Sequence, residues 1–390
     1  MADNIKRIGK SCVGCRSCEQ VCPVKCIDIK PDREGFLYPV VDEEKCISCG
    51  KCIKSCPVEN KSEHRNTPKV VYALKNKNET DIMKSASGGA GDLFATAVLK
   101  EGGVVFGAAY DRNFHVHHIE VSQLEDKGPL QSSKYVQSDT EHTYSRVKKL
   151  LKEGKEILFT GTPCQIAGLY AFLGGDQPGL FTVDLICHGV PSPEFFDKYI
   201  QYWNSQSDGR IVYYNFRSKE KRGWGTQYLL KTKTKTKTKT KTKTGPLFSD
   251  KYGQHFMDSD CYRESCYECL YANMGRVGDV TIGDFWGIAK SHPNFFSSKG
   301  VSSVFINTQK GVELFEKIKD MAAIETATIE EGLVKQGNLV RPSVRPEARD
   351  HIYDHINDEG FIFSMKIKAK PKEMVKALLP TGVVNWLKKM

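Results

Sequence analysis

From residue 70 onward, short apolar runs alternate with polar turns, and their spacing predicts strands interleaved with helices. Strands are predicted where apolar and β-prone residues cluster or alternate, at residues 70–74, 104–110 and 116–121. Apolar residues within 92–100 recur at helical spacing, and residues 140–153 show an amphipathic helical pattern with a basic face. This order of elements indicates an α/β domain.

Two later apolar runs each lead to a cysteine. Residues 156–160 are a predicted strand that precedes Cys164 at the start of a helix, and residues 181–186 are a predicted strand that ends at Cys187. Because helices follow both strands, the pattern predicts a parallel sheet whose ligands gather at the carboxyl ends of the strands. Further strands are predicted within residues 211–230, 278–287 and 301–307, and helices at residues 310–322 and along most of the chain after residue 340.

The first 60 residues are organised by cysteine spacing. The run C-x2-C-x2-C-x3-C-P occurs twice, starting at Cys12 and at Cys46. In such runs three closely spaced thiolates hold one [4Fe–4S] cluster, and the fourth ligates the other cluster. The spacing therefore predicts one cluster on Cys12, Cys15, Cys18 and Cys56, and a second cluster on Cys46, Cys49, Cys52 and Cys22. A structural zinc module or a disulfide knot is the alternative.

Five cysteines follow the first 60 residues, at positions 164, 187, 261, 266 and 269. Two stand at the ends of predicted strands and two form a C-x2-C pair. Together, Cys164, Cys187, Cys266 and Cys269 would make a four-thiolate site for a third cluster. A zinc ion in that site, or a redox thiol pair at Cys266 and Cys269, remains open.

A candidate anion site precedes the predicted helix at residues 92–100. Ser87, Gly88 and Gly89 would present free backbone N–H groups at the helix start, where the helix dipole attracts phosphate. Glycine suits a backbone that closely approaches a phosphate, because a Cβ would intrude. An ordinary helix start is the alternative interpretation.

Several motifs occur together in a fixed order: Ser87-Gly88-Gly89, Gly161-Thr-Pro-Cys164-Gln, Cys187-His-Gly, Cys266-x-x-Cys269 and Gly278-Asp-Val-Thr-Ile-Gly-Asp-Phe-Trp-Gly287. This set resembles the beta-subunit family of coenzyme F420 hydrogenases and dehydrogenases over about residues 70–320. Residues 5–60 resemble a bacterial two-cluster ferredoxin. The resemblance implies a flavin, usually FAD, beside a [4Fe–4S] cluster held by Cys164, Cys187, Cys266 and Cys269.

The same resemblance implies contacts to the flavin. It places Ser87, Gly88 and Gly89 at the flavin phosphates, and Lys134 and Asp284 at further flavin contacts. Cys261 matches no ligand position and is expected to be structural. No residue is assigned a catalytic role.

The fold predicted for the whole chain is an α+β ferredoxin-like dicluster module followed by a larger α/β domain with a mostly parallel or mixed sheet. The dicluster module is expected at residues 1–60 and a linker at 61–69. A helical tail is expected at residues 336–390, after the larger domain, which is expected to comprise an N-terminal part at residues 70–154 and a C-terminal part at residues 155–335. Within it, the Lys-Thr repeat of residues 231–244 is predicted to be an exposed hairpin arm or loop.

Charge and hydropathy limit the function classes. The net charge is +10, but seven lysines of the Lys-Thr repeat supply most of it, so no basic surface for nucleic acid is predicted. No apolar leader opens the sequence and no run of 18 apolar residues occurs, so no transmembrane segment is expected. Reduced cysteines that hold iron fit a cytoplasmic protein.

The predicted function is an iron–sulfur flavoprotein oxidoreductase. Electrons would pass between ferredoxin-type clusters and a flavin that reduces or oxidises a small substrate or a deazaflavin-type coenzyme. The expected partners are a redox protein or small electron carrier and a small-molecule substrate. The alternative is an electron-transfer subunit of a larger redox complex without its own substrate site. No G-x-G-x-x-G follows a predicted strand, which argues against a dinucleotide site for NAD.

Overall fold

The computed structural model describes residues 4–60, 66–205, 209–234 and 240–358, together with residues 371, 374, 375, 379, 382 and 383. Residues 61–65 of the predicted linker, and most of the predicted tail after residue 358, therefore lie outside the described residues. None of the helices described here is both long enough and apolar enough to cross a lipid bilayer.

The described strands are β1 Ile27–Pro31, β2 Leu37–Val41, β3 Val70–Asn76, β4 Val104–Tyr110, β5 Val116–Val121, β6 Ile157–Gly161, β7 Leu180–Leu185, β8 Gly209–Asn215, β9 Gln227–Thr234, β10 Thr240–Pro246, β11 Val280–Asp284, β12 Ser302–Ile306 and β13 Ala322–Ala327. The described α-helices are α1 Ser17–Val21, α2 Lys51–Lys54, α3 Glu79–Lys84, α4 Ala90–Lys100, α5 Thr143–Lys152, α6 Pro163–Leu173, α7 Pro193–Ser205, α8 Lys251–Asp258, α9 Glu264–Tyr267, α10 Ile288–Ser291, α11 Gln309–Glu316, α12 Ile329–Leu333 and α13 Ala348–Asp354. Short 3-10 helices occupy Ile5–Ser11, Leu124–Leu130, Leu247–Ser249, Lys319–Met321 and Gly337–Leu339.

The large domain is built on one mixed sheet, which confirms the predicted fold class. Its strand order is β13-β3-β12-β11-β7-β6-β4-β5. The neighbouring strands β4, β6, β7 and β11 run parallel, while β3, β5, β12 and β13 pair antiparallel with their neighbours. The carboxyl ends of β6, β7 and β11 therefore meet at one edge of the sheet, where ligands of such sheets gather.

Alternation along the central strands explains why both faces of the sheet are covered. In β6, Leu158 packs in the core on the α4 side, whereas Ile157 and Phe159 pack in the core on the α5 and α6 side. In β7, Val183 belongs to the first core and Leu180 to the second. A strand that is buried on both faces is apolar almost throughout, which is the pattern seen in these runs.

Two differences from the predicted elements have local causes. The predicted helix at residues 310–322 ends at Glu316, and β13 begins at Ala322, because residues 322–327 pair with the otherwise open edge of β3. The chain is irregular between residue 340 and α13, because Pro342 and Pro346 lack the backbone N–H that a continuous helix needs.

The lower part of the Lys-Thr repeat forms a hairpin arm. Strands β8, β9 and β10 make a separate three-stranded antiparallel sheet, in which Thr232 pairs with Lys241. At the base of the arm Thr232 is buried, and the Lys243 ammonium lies 4.2 Å from the centre of the Trp203 ring. Residues 235–239 of the repeat lie outside the described residues.

Replacing residues 233–240 with Asn-Gly should leave the iron content unchanged. Thr232 and Lys241 are paired, so a two-residue turn can join them while the buried base of the arm is kept. The described pairs that are lost are those of Gly209 and Arg210 at the start of β8 and the pair of Lys233 with Thr240, and the expected cost is below about 1 kcal/mol, a shift of about 2–4 °C in the unfolding midpoint. Iron analysis and thermal unfolding provide the measurement. A variant that loses iron would show that the outer repeat contributes to assembly of the iron sites.

The N-terminal module is docked on the large domain through backbone and side-chain contacts. The Arg16 guanidinium lies 2.6 Å from the carboxylate of Asp139. Thr140 donates its hydroxyl proton to the Cys15 carbonyl oxygen at 3.0 Å, and Tyr271 donates to the Pro57 carbonyl oxygen at 3.2 Å. Both cysteine-rich ends of the module are therefore fixed against the domain that carries the remaining cysteines.

Candidate redox centres

Each predicted four-cysteine set of the N-terminal module lines its own cavity. Cys12, Cys15, Cys18 and Cys56 line one cavity together with residues of the first 3-10 helix. The other cavity is lined by Cys22, Cys46, Cys49 and Cys52. In both cavities the fourth cysteine of the predicted set comes from the other cysteine run, and the ligation of a cluster by each set stays a prediction.

The two N-terminal sets differ in exposure. Cys15, Cys18 and Cys56 of the first set are buried, whereas in the second set Cys49 is exposed and the others are partly exposed. Cys26, which the predicted sets leave out, also lines the second cavity, with its Sγ 3.5 Å from that of Cys22. The first set is thus the inner one, toward the large domain, and the second set lies near the surface.

The third predicted set meets at the carboxyl edge of the large sheet. Thr162 caps α6 in a capping box with Gln165, which places Cys164 in the first turn of α6, just after β6. Cys187 follows β7, Cys266 lies in α9, and Cys269 comes shortly after it.

These four cysteines line a cavity of about 700 Å³. Burial raises the pKa of Cys164 to about 11 and that of Cys266 to about 12, and the Cys269 thiol adds to both shifts. Their mutual proximity is therefore a property of the fold and does not depend on the sequence pattern alone.

Each cysteine set lines the wall of a cavity, and its thiols do not meet at a single metal position. Within the described ranges, no three His, Cys, Asp or Glu side chains lie close enough together to hold a single metal ion. Four thiols around a cavity can ligate a group of several metal atoms, as a cubane cluster requires. Cys261 lies outside these cavities in the described chain, and it is fully buried in an aromatic core.

The predicted flavin residues Ser87 and Asp284 lie near each other at the same sheet edge. Asp284 ends β11 and makes a bidentate ion pair with Arg217, at 2.7 and 2.8 Å. Arg217 also donates to the Ala86 carbonyl oxygen, and the Lys219 ammonium donates to the Ser87 carbonyl oxygen. These two basic residues join the Ser87 segment to Asp284.

Burial and charge both act on the group formed by Arg217, Lys219, Trp224 and Asp284, which we call the Asp284 constellation. Burial alone would raise the pKa of Asp284, but the Arg217 guanidinium lowers it below its ordinary value. Burial lowers the pKa of Lys219 to about 7. Trp224 donates its indole N–H to Asp284 at 2.6 Å and stacks on Trp286, with ring centres 5.1 Å apart.

Gly88 serves the packing of the sheet in this structure. An added Cβ would lie 2.1 Å from the Leu74 carbonyl oxygen and 2.4 Å from the Ser302 backbone nitrogen. Gly89 precedes α4 with a φ of 89°, which only glycine adopts easily. The first turn of α4 also holds the Asp92 carboxylate. The Lys127 ammonium pairs with this carboxylate, and the Gln131 amide donates a hydrogen bond to it.

Lys134 is held by backbone carbonyls. Its ammonium donates to the carbonyl oxygens of Pro129, Gln131 and Ser132, and burial lowers its pKa to about 7. Its neighbour Tyr135 accepts a hydrogen bond from Arg217 at 3.0 Å. Lys134 is therefore the neighbour in sequence of a residue, Tyr135, that contacts the Asp284 constellation.

Sequence reasoning missed Arg217, Lys219, Trp224 and His188 as members of this region. Burial lowers the pKa of His188. Asp284 raises this pKa and Arg217 lowers it, each by less than burial does. His188 follows Cys187 directly and lines the cavity of the third cysteine set, and it is close enough to Asp284 and Arg217 to be affected by both charges. The Cys187-His-Gly motif was the signal that could have drawn attention to it.

Comparison with protein families agrees with this arrangement. Residues 154–332 match the family described as the C terminus of the coenzyme F420 hydrogenase/dehydrogenase beta subunit. Residues 11–60 and 38–87 match two models of a 4Fe–4S dicluster domain. No curated protein matches the chain.

Among solved structures, one from the F420-reducing [NiFe] hydrogenase complex of Methanosarcina barkeri, studied by xenon derivatization, matches with 19% sequence identity. The match covers 76% of this chain and 90% of that chain, with a TM-score of 0.45. The family matches, however, account for both cysteine-rich regions of the sequence. The chain thus combines an N-terminal region that matches 4Fe–4S dicluster domains with a region, residues 154–332, that matches the C terminus of the coenzyme F420 hydrogenase/dehydrogenase beta subunit.

Proposed function

We propose that this chain is a flavin-dependent iron–sulfur oxidoreductase with three [4Fe–4S] clusters. Two clusters would be held by the N-terminal cysteine sets, and the third by Cys164, Cys187, Cys266 and Cys269. The observation that carries the proposal is that each of the three sets lines a cavity of its own. Bound flavin would supply two-electron chemistry toward a small substrate or a deazaflavin-type coenzyme.

The contact between the inner N-terminal set and the third set supports a relay. Cys164 and Gly168 lie four residues apart on one face of α6. A Cβ added at Gly168 would lie 2.7 Å from the Cβ of Cys15. One turn of helix, about 6 Å of axial rise, therefore separates a ligand of the third site from the contact with a ligand of the first.

The Asp284 constellation supports a flavin next to the third site. Arg217 holds Asp284 ionised in a buried position, and His188 links this region to Cys187 along the chain. Lys219, with a pKa of about 7, can hold or release a proton at Nζ near neutral pH. These residues would orient the flavin and balance its charge on the side of the third site.

The exposed end of the relay supports exchange with an external electron carrier. Cys49 is exposed, and Ile47, two positions earlier, is 61% exposed. We therefore assign the Cys22, Cys46, Cys49 and Cys52 site as the point where a redox protein or small carrier delivers or removes electrons.

Anaerobically purified protein should contain about twelve iron atoms, since each of three cubanes contributes four. It should also contain about one flavin per chain, because the flavin is the two-electron centre of the proposed function. Iron and flavin analysis together with an absorption spectrum provide the measurement.

Full iron without flavin would contradict the flavoenzyme and favour an electron-transfer subunit. The same alternative would be favoured if flavin is bound but the protein turns over no small acceptor.

A further inference from the structure

The buried arginines of the described chain differ in one respect. Four arginine side chains are buried, and three of them pair with a carboxylate, at 2.7 Å in Arg217–Asp284, 2.8 Å in Arg276–Asp184 and 2.6 Å in Arg349–Glu34. The fourth, Arg263, is 1% exposed and forms no ion pair with any described residue. A buried cation without a counter-ion is unfavourable, so an anion that the protein chain does not supply is expected beside it.

The hydrogen-bond partners of Arg263 are neutral. Its Nε donates to the Cys12 carbonyl oxygen at 2.6 Å, and its two terminal nitrogens donate to the Leu37 carbonyl oxygen at 2.9 Å and to Gln137 Oε1 at 3.1 Å. The guanidinium also lies 4.0 Å from the centre of the Tyr38 ring. These contacts fix the position of the charge and leave it uncompensated.

Arg263 touches the surroundings of two cysteine sets at once. Through the Cys12 carbonyl it contacts the inner N-terminal set, and it lines the same cavity as the four cysteines of the third set. Its own carbonyl oxygen accepts the backbone N–H of Cys266 at 2.9 Å. It therefore stands between the two sites that the relay would connect.

We infer that Arg263 is a positioning residue whose counter-ions are the two iron–sulfur sites on either side of it, the Cys12 site and the Cys164 site. This inference rests on the proposed function. Four thiolates leave each [4Fe–4S] site with a net negative charge, and a one-electron reduction increases that charge. A fixed neighbouring cation stabilises the reduced form, so Arg263 raises the reduction potentials of both sites, since net charge is one of the factors that set them.

Replacing Arg263 with Gln should lower both reduction potentials. The expected change is about tenfold in each reduction equilibrium, which corresponds to about 59 mV for a one-electron couple. Arg263→Lys should return both values toward those of the unaltered protein, because it restores the charge without the guanidinium geometry. Potentiometric titration followed by electron paramagnetic resonance provides the measurement, with iron content as the control for intact sites.

Two further variants make the result decisive. Arg146→Gln removes an exposed arginine that pairs with Glu120, and it should change neither potential. Gln137→Glu keeps Arg263 in place and puts a carboxylate where the 3.1 Å hydrogen bond now lies, so it should lower both potentials as Arg263→Gln does.

Unchanged potentials in an iron-complete Arg263→Gln or Gln137→Glu protein would overturn the inference. So would loss of iron in Arg263→Lys, because the guanidinium geometry would then be the essential property. Loss of iron in both charge-altering variants, with iron retained in Arg263→Lys, supports the role of the charge. If the unaltered protein lacks a cluster at the Cys164 site, the proposed function is contradicted instead. The reduction potential of the Cys12 site would then still show whether Arg263 raises it.

Discussion

Replacing Cys266 with serine should remove about four of about twelve iron atoms, because a cubane that loses one thiolate ligand is poorly held. Cys266 lies in α9 and lines the cavity of the third set, and it lines neither of the two N-terminal cavities. The eight N-terminal cysteines should therefore keep their iron. Iron analysis gives the count, and electron paramagnetic resonance of the reduced protein shows which signal disappears.

Cys261→Ala is the matched control for this change. Cys261 lies five positions earlier in the chain and is fully buried in an aromatic core, where it lines none of the three cysteine cavities. This variant should retain about twelve irons, with some loss of stability from the cavity it creates. About eight irons in the unaltered protein, with no further loss in Cys266→Ser, would remove the third cluster. One zinc per chain in addition would assign the site to zinc.

The cysteine sets could be predicted because a cluster imposes a fixed number and spacing of ligands on the sequence. The repeated run at Cys12 and Cys46 shows, without a structure, which cysteine goes to which set. The central strands were predictable for a similar local reason, since their burial on both faces leaves apolar runs. The pairing of β13 with β3 was not predictable, because register partners such as Ala327 and Val71 lie far apart in the sequence, beyond the reach of any local pattern.

The Asp284 constellation could not be predicted from local sequence patterns. Arg217 stands between β8 and β9, and its partner Asp284 is 67 residues away. Nothing in the neighbourhood of Arg217 distinguishes it from a surface arginine, since only the folded sheet brings the two side chains together. At Gly88 the structure adds a second reason for glycine beside the predicted phosphate contact, since an added Cβ would clash with the backbone of Leu74 in β3 and Ser302 in β12.

The glycine at position 168 has a physical reason that only the docked module reveals. A glycine inside a helix costs about 1 kcal/mol relative to alanine, so its presence in the middle of α6 calls for a compensating contact. That contact is with Cys15: an added Cβ would lie 2.7 Å from the cysteine Cβ and 2.8 Å from its Sγ. The Tyr144 hydroxyl oxygen lies 3.1 Å from the same added Cβ, so it also limits the space for a side chain at position 168.

Replacing Gly168 with leucine should disrupt the inner N-terminal site. Helix α6 is packed in the core of the large domain, and Tyr144 donates to its Gln165 carbonyl oxygen at 2.7 Å, so Cys15 is the group that must shift. Overpacking of this kind costs about 1–3 kcal/mol. A displaced Cys15 can no longer complete its set, and iron should fall by about four atoms per chain. Gly168→Ala, with one methyl group, should show the same loss in weaker form.

Gly337→Leu is the control for the change of glycine to leucine, because a Cβ there meets no atom within 4 Å. It should keep the full iron content. Iron analysis of the three variants and electron paramagnetic resonance of the reduced proteins give the measurement. A Gly168→Leu protein with full iron, and with unaltered electron transfer from the N-terminal module to the third site, would show that α6 and Cys15 are not tightly apposed. The short path across one turn of α6 would then be wrong. Loss of the inner site alone, with the outer and third sites intact, would place that path at Cys15, Gly168 and Cys164.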